Sequence, residues 1–147
     1  MIQIIAGIGN PDPEYKNTYH NIGILAVEYL MEEYAEDAQN ATWQEYKNLF
    51  SYRKAGDLIF VRSRCYMNES GRAIAGAARF FGVPPERVTV IHDESDLAVG
   101  SFRFAEGGSS AGHKGIQSII DHFGTPDFPR IRIGIRNLHE VRRKKAE

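Results

Sequence analysis

The sequence predicts an α/β fold in a single domain spanning residues 1–147, and three observations predict it. An apolar run, Ile2 to Ile5, reads as a buried strand, and a loop joins it to an amphipathic helix beginning near Asn21. A second apolar run, Val88 to Ile91, ends in the polar cluster His92-Asp93-Glu94-Ser95-Asp96, and in open α/β sheets the carboxyl ends of strands are where ligands bind. No internal repeat and no linker interrupts the chain, and its length suits one domain with a real core.

From Ile22 the residues Ile22, Leu25, Ala26, Tyr29 and Leu30 fall at helical spacing while Glu28, Glu32, Glu33 and Glu36 face away, so this helix is expected to lie on the sheet. Tyr46 to Lys54 and Leu58 to Arg64 flank Ala55-Gly56-Asp57 and predict a β-hairpin, with Trp43 and Phe50 as core or edge cover. A small-residue helix is expected from about Arg72 to Phe81, stopping at Gly82-Val83-Pro84-Pro85, with Asn68 and Ser70 as capable N-caps. Val88 to Ile91 is a strand and His92 to Asp96 a strand-end loop. Ser101 to Ala105 is a strand, the stretch from Gly107 to Gly115 a glycine loop, and Ile116 to His122 a short helix that Gly124-Thr125-Pro126 breaks. Arg130 to Arg136 alternates strictly, which predicts a half-buried strand with an arginine-rich exposed side.

Composition narrows the class. A single cysteine, Cys65, excludes an internal disulfide framework and fits a reducing compartment. No apolar run is long enough to span a bilayer, and Met1 to Ile5 is too short for a secretory signal, so the expectation is a soluble cytoplasmic protein without a membrane partner. A net charge of -1 argues against coating nucleic acid over the whole surface and leaves room only for a local basic patch. The final Arg142-Arg143-Lys144-Lys145 run reads as a solvated end.

Several motifs fail on context. Gly7-Ile8-Gly9 is half of a dinucleotide fingerprint, but Asp12 stands where the third glycine belongs, and Pro11 and Pro13 oppose a helix there; both glycines then serve a tight turn. Asn21 reads as a helix N-cap. The phosphate-loop pattern from Gly107 puts His113 where lysine is required and Lys114 where serine or threonine is required. Gly108-Ser109-Ser110-Ala111-Gly112 satisfies the nucleophile-elbow pattern with Ser110 as nucleophile, but its partners would be Asp121 or Asp127 and then His139 in the charged tail. The five histidines show no paired ligand spacing on one helix face, and among Asp93, Glu94 and Asp96 one carboxylate is expected to orient a histidine while the others meet solvent. What remains is a histidine, a carboxylate and side-chain amides on separate loops at one sheet edge. A histidine can take a proton from water, a hydrogen-bonded aspartate fixes its tautomer, and amides stabilise charge on a carbonyl oxygen. These residues suit hydrolysis of an activated acyl bond such as an ester.

Gly7-Ile8-Gly9-Asn10-Pro11, Tyr15, His20-Asn21-Ile22-Gly23, Tyr66 to Gly71, His92-Asp93-Glu94, the Gly107 to Gly115 loop and Gly124 to Ile135 together resemble the bacterial peptidyl-tRNA hydrolase family, in the family's order and over nearly the whole chain. That resemblance implies a mixed β-sheet sandwiched between helices, and cleavage of the ester joining a peptide to the terminal ribose of tRNA. It also implies a monomer with tRNA as its partner and no metal or cofactor. On the same ground His20 is the expected base and Asp93 its partner, and Asn10 and Asn68 grip the peptide and position the ester. Tyr15, Tyr66, Met67, His113 and Lys114 belong to the substrate cleft, and Arg132 contacts the tRNA phosphates. The chain departs from the family pattern at four places. Lys114 replaces an asparagine, Ala105 replaces a basic residue for which Arg103 stands near enough to substitute, and Tyr19 replaces an arginine or lysine. The chain also ends soon after Arg136, where the family normally continues into a further helical segment, leaving a short member or a fragment as alternatives. Two rival readings are a tRNA-end-binding module that has lost turnover and a serine esterase using Ser110.

Overall fold

The structure, a computed structural model, describes residues 1–137; the tail residues His139 and Arg142 to Lys145 lie outside them. Seven strands form one sheet: β1 (Gln3–Gly7), β2 (Gln44–Tyr46), β3 (Phe50–Ala55), β4 (Leu58–Ser63), β5 (Val88–Ala98), β6 (Phe102–Ala105) and β7 (Arg130–Arg136), in the order β2-β3-β4-β1-β5-β7-β6. The sheet is mixed. β1 runs parallel to both β4 and β5, and β5 parallel to β7, while β2, β3 and β6 are antiparallel to their neighbours.

Three helices cover the two faces: α1 (Ile22–Glu33), α2 (Ser70–Phe81) and α3 (Lys114–Phe123). Alternation along the strands sorts the core. Ile4 and Ala6 of β1, Ile59 and Val61 of β4, and Val88 and Val90 of β5 pack with Ala73, Ile74 and Ala77 of α2 and Ile116 and Ile119 of α3. Phe60 and Ile91 point the other way and pack with Val27 and Met31 of α1. This gives the expected layers of helix, sheet and helix. The small side chains of α2 let it approach α3: the space at Gly71 is taken by the Ser118 carbonyl, and Ser118 Oγ accepts the Gly71 N–H at 2.9 Å.

The face that α1 buries differs from expectation. Its buried residues are Gly23, Val27 and Met31, whereas Leu25, Ala26 and Tyr29 line an open apolar groove with Ile131 and Ile133. The helix is apolar almost all round, so spacing alone offered little contrast with which to choose a side. Glu28, expected to face away, sits 3.4 Å from Arg62. The hairpin is also more elaborate than predicted, because Tyr46 belongs to a short edge strand. A turn closes through the Leu49 N–H to Tyr46 carbonyl bond at 2.9 Å, with Lys47 and Asn48 both left-handed at φ 49° and 56°. A turn of that kind normally advertises itself with glycine, and here it has none. Phe50 is fully buried, while Trp43 is covered by the Arg62 guanidinium 4.0 Å above its ring.

Glycines 7 and 9 correct the tight-turn reading, since neither has a left-handed φ. They serve close approach. A Cβ at Gly7 would strike the Gly23 backbone, one at Gly9 the Asn21 side chain, and one at Gly23 the carbonyl oxygens of Ile91 and Ile8. The start of α1 is therefore pressed directly onto β1 and β5. Gly23→Ala should cost about 1–3 kcal/mol or more, because backbone on both sides cannot yield. Gly76→Ala in the middle of α2 should instead stabilise by about 0.5–1 kcal/mol, its new methyl meeting only Leu49 at 3.9 Å. Urea denaturation of both variants tests this opposition of sign.

Candidate active site

Because β1, β5 and β7 are parallel and adjacent, their carboxyl ends open on one edge of the sheet. The polar stretch read as a loop after Ile91 lies inside β5, where His92, Asp93 and Glu94 pair with Arg132, Ile133 and Gly134 before the register shifts ahead of Ala98. The long partner strand β7 extends the ladder past the apolar run that marked the strand in the sequence. Asp93 is thus carried on sheet, the least mobile kind of support for a functional group.

His20 sits on a single 3-10 turn, Tyr19–Asn21, immediately before α1. Asn21 does not cap α1 with its side chain. Its Oδ1 accepts the Asn10 N–H at 2.6 Å and its Nδ2 donates to the Asn10 carbonyl at 2.8 Å, which pins the loop after β1 against the turn that carries His20. Asn10 Oδ1 in turn accepts the Asp12 N–H at 3.0 Å. The expected cap is therefore a cross-loop brace, a role that depends on a partner eleven positions away and left no local signature.

Asp93 lies between two imidazoles. Its Oδ2 is 3.0 Å from His20 Nδ1 and its Oδ1 is 2.7 Å from His113 Nε2. The His113 Nδ1 accepts the Ile116 N–H at 3.1 Å and so caps α3, which fixes its neutral tautomer with the proton on Nε2, directed at Asp93. With the Asp93 carboxylate likewise accepting Nδ1–H, His20 keeps its Nε2 lone pair free. The His20 side chain is 67% exposed and that of Asp93 only 9%, so the free nitrogen belongs to a wet ring on a buried carboxylate. Burial pushes the Asp93 pKa up, but the hydrogen bonds and charges of His113 and His20 outweigh it and hold the carboxyl below its ordinary value.

His92 underlies this pair. Its ring meets that of His113 edge-on at 4.8 Å, and its Nδ1 donates to the Asp93 carbonyl at 2.7 Å. Burial, with His113 beside it, lowers its pKa to about 4. Among the described residues His92, Asp93 and His113 place potential ligand atoms within 4.8 Å of one another. Both His113 nitrogens and both Asp93 oxygens are engaged, so a metal there would have to displace hydrogen bonds already made.

The remaining candidates lie around this centre. Met67, on the 3-10 turn Met67–Glu69, crowds Gly115 together with Ile8 and His113: a Cβ there would lie 2.6 Å from the Met67 sulfur and 3.0 Å from the His113 ring. Tyr66 and Asn68 flank it, exposed. Ser70 donates to the Met67 carbonyl at 2.7 Å from the first turn of α2. Lys114 opens α3 on the surface. Asn10 borders a different cavity, of about 390 Å³, with Asp12, Lys16, Arg62 and Arg64, and Tyr15 is exposed on the 3-10 turn Pro13–Tyr15. Ser110 donates to Gln117 Oε1 at 2.8 Å, an amide rather than an imidazole.

Arginines on β7 fall into two kinds. Arg130 is buried, contrary to the exposed side expected, because the glycine loop covers it: its guanidinium donates to the carbonyls of Ser109, Gly108 and Pro126. Arg132 is half-buried with its Nε 3.1 Å from Glu94 Oε2, so Glu94 is paired rather than turned to solvent. Arg103 on β6 stands directly opposite Arg132, and Ala105 opposite Arg130.

The sequence pattern of the family described as Peptidyl-tRNA hydrolase matches residues 4–146. The chain belongs to the peptidyl-tRNA hydrolase family. A relative from Moorella thermoacetica, a peptidyl-tRNA hydrolase, is 41% identical over 137 residues, covering 92% of this chain and 70% of its own. The corresponding protein of Coxiella burnetii is 38% identical over 136 residues, at 92% and 71% coverage. The crystal structure of the peptidyl-tRNA hydrolase of Acinetobacter baumannii superposes with a TM-score of 0.82 at 31% identity, over 99% of this chain and 74% of that one. Among peptidyl-tRNA hydrolases, then, this chain has the family's mixed sheet between helices, and no helix of its described residues is long and apolar enough to cross a membrane.

Burial of a neutral histidine carries a pH signature. His92 is held neutral in the fold down to about pH 4, whereas the unfolded residue takes up a proton near pH 6.5. Between these values the unfolded chain binds the extra proton, so this contribution is complete above about pH 6.5 and falls by on the order of 3 kcal/mol as pH drops to 4. Denaturation midpoints of His92→Gln followed over that range should show a shallower loss than the parent chain.

Proposed function

We propose that the chain hydrolyses the ester of peptidyl-tRNA to free peptide and tRNA, with His20 as general base for the attacking water. The observation that carries this reading is the Asp93 carboxylate at 3.0 Å from His20 Nδ1, which leaves Nε2 facing solvent as a proton acceptor. In the step envisaged, Nε2 takes a proton as the water oxygen bonds to the ester carbonyl carbon. The tetrahedral intermediate then collapses, the bond to the ribose oxygen breaks, and the imidazolium returns its proton to that oxygen. Asp93 supports the transient imidazolium from behind and is itself held by the second N–H from His113. Asn10 and Asn68 are assigned to the peptide and ester carbonyls, and Tyr15, Tyr66, Met67, His113 and Lys114 to the walls of the cleft. The protein acts as a monomer in the cytoplasm, where its tRNA substrate arises.

Arg103 and Arg132 are assigned to the phosphate backbone. Like charges directly opposite across an antiparallel pair destabilise a sheet, and Glu94 relieves only one of them. A phosphate seated between the two guanidinium groups would relieve the repulsion. Arg103 thereby takes the place of the basic residue that Ala105 lacks.

His20→Ala should lower turnover of an N-acetylaminoacyl-tRNA by about two to four orders of magnitude, and His20→Ala/Asp93→Asn should be hardly worse, since the two act as one unit. Near-normal hydrolysis by His20→Ala would sink the assignment. Ser110→Ala should keep most activity, and an equal collapse there would move the chemistry to the serine. If Arg132 meets a phosphate, Arg132→Ala should weaken tRNA binding and reduce the slope of log affinity against log salt by about one; an unchanged slope places the backbone elsewhere.

A further inference from the structure

The loop from Glu106 to His113 delivers His113 to Asp93 although little in its own sequence would hold it still. Gly107, Gly108, Ala111 and Gly112 are all left-handed, at φ 129°, 106°, 48° and 86°. Glycines surrender the most conformational freedom on ordering. The loop lies between β6 and α3, so the carbonyls of Gly108 and Ser109 have no sheet ladder to satisfy them. One buried side chain does so. Arg130 donates from one terminal nitrogen to Ser109 O at 2.9 Å and from the other to Gly108 O at 2.7 Å and Pro126 O at 2.8 Å. Its guanidinium stacks 4.4 Å from the centre of the Phe128 ring, and its buried Nε has no partner among the described residues. Burial and the nearby Arg132 lower its pKa, but a guanidinium starts so far above neutrality that it stays charged.

We propose that Arg130 is a positioning residue of the active site, acting through His113. The planar fork grips two successive loop carbonyls and the Pro126 carbonyl at once, and so fixes where the loop re-enters α3 and hence where His113 Nε2 meets Asp93. Three residues separate Ser109, the last gripped carbonyl of the loop, from His113, and the Ser110 carbonyl, accepting the His113 N–H at 2.9 Å, closes that span into a turn. Arg130 also shares a cavity of about 210 Å³ with Arg132, Glu94 and His92, so the grip lies alongside the proposed phosphate contact. Lysine cannot replace it, because its donors radiate from one nitrogen and cannot bridge carbonyls on two segments in a plane. This role rests on the proposed hydrolase reading for its kinetic consequence, but its structural consequence can be read without turnover.

The test is a double-variant cycle of Arg130→Lys with His113→Ala, read by hydrolysis of N-acetylaminoacyl-tRNA and by proton NMR of the His113 Nε2–H. Arg130→Lys should lower kcat by about ten- to a hundredfold, the scale of an ångström-size misplacement, with KM changed less than about twofold. The His113 Nε2–H resonance should broaden or vanish while the rest of the spectrum stays folded. In the His113→Ala background the same change should cost little more, because the effect runs through the missing ring. Equal losses in both backgrounds, or an unmoved His113 resonance in folded Arg130→Lys, would overturn the proposal. Should Arg130→Lys fail to fold, Phe128→Leu removes the ring beneath the guanidinium and enters the same cycle with the same criteria. If the parent chain shows no hydrolysis, the functional reading fails by itself, and the NMR comparison still decides whether Arg130 places His113.

Discussion

A buried carboxylate held between two imidazoles is the constraint around which the site is built. An ionised group that is largely out of water costs several kcal/mol unless hydrogen bonds return what solvation gave. Asp93 receives those bonds from His20 on one oxygen and His113 on the other. Each donor belongs to a different loop, so the carboxylate ties the loop after β1 to the loop before α3, beyond the orienting role it takes under the proposed function. The sheet order makes this possible. With β1 beside β5 and β7 beyond it, all parallel, the first loop, the polar end of β5 and the entrance to α3 come to one edge.

Rigidity is distributed unevenly around that carboxylate, and the distribution has a chemical logic. Asp93 is fixed by sheet and His113 by its helix-capping bond to the Ile116 N–H. His20 is the most exposed of the three, on one 3-10 turn braced through Asn21 and the close Gly7–Gly23 contact. Under the proposed function this is what the two roles require: a base that exchanges protons with water needs exposure, and its partner needs to be dry for its charge to count. On the β6–β7 pair Arg103 and Arg132 share one face, while the exposed Phe102 and Phe104 stand opposite Ile133 and Ile131 on the other.

Much of this was legible in the sequence, for reasons that also explain what was not. Periodicity of two and apolar runs located β1, β7 and the core of β5, and glycine and proline placed the end of α2, because these signals are local. The pairing of His20 with Asp93 rested on the family resemblance together with the chemistry that a histidine and a carboxylate offer at one sheet edge. What escaped depends on partners far along the chain. The polar half of β5 is strand only because β7 pairs with it, Asn21 braces Asn10 rather than capping its own helix, and Arg130 is buried only because the glycine loop folds over it. Gly7 and Gly9 were read through turn geometry, whereas their use is to admit a helix onto a strand. The buried side of α1 was missed because a helix apolar on most faces gives periodicity nothing to separate.

Lys114 shows how the architecture bears on the departures from the family pattern. It begins α3, where the unpaired backbone N–H groups make a helix end electropositive and a cation is unfavourable by about 0.3–1 kcal/mol. The neighbouring His113 offsets only part of this, through its Nδ1 accepting the Ile116 N–H. Under the proposed function the asparagine replaced here would offer a donor and an acceptor to the substrate, and lysine offers donors alone. Two electropositive features side by side next to His113 favour an anion there, and under the proposed function the tRNA phosphates would supply one. On that account the substitution trades a neutral contact for a charged one, while at Ala105 the family resemblance implies the loss of a basic residue for which, under the proposed function, Arg103 opposite Arg132 substitutes. The positive charge around the site is then shifted toward α3 and β6, and with Tyr19 standing where a cation is expected beside His20 it is reduced as well.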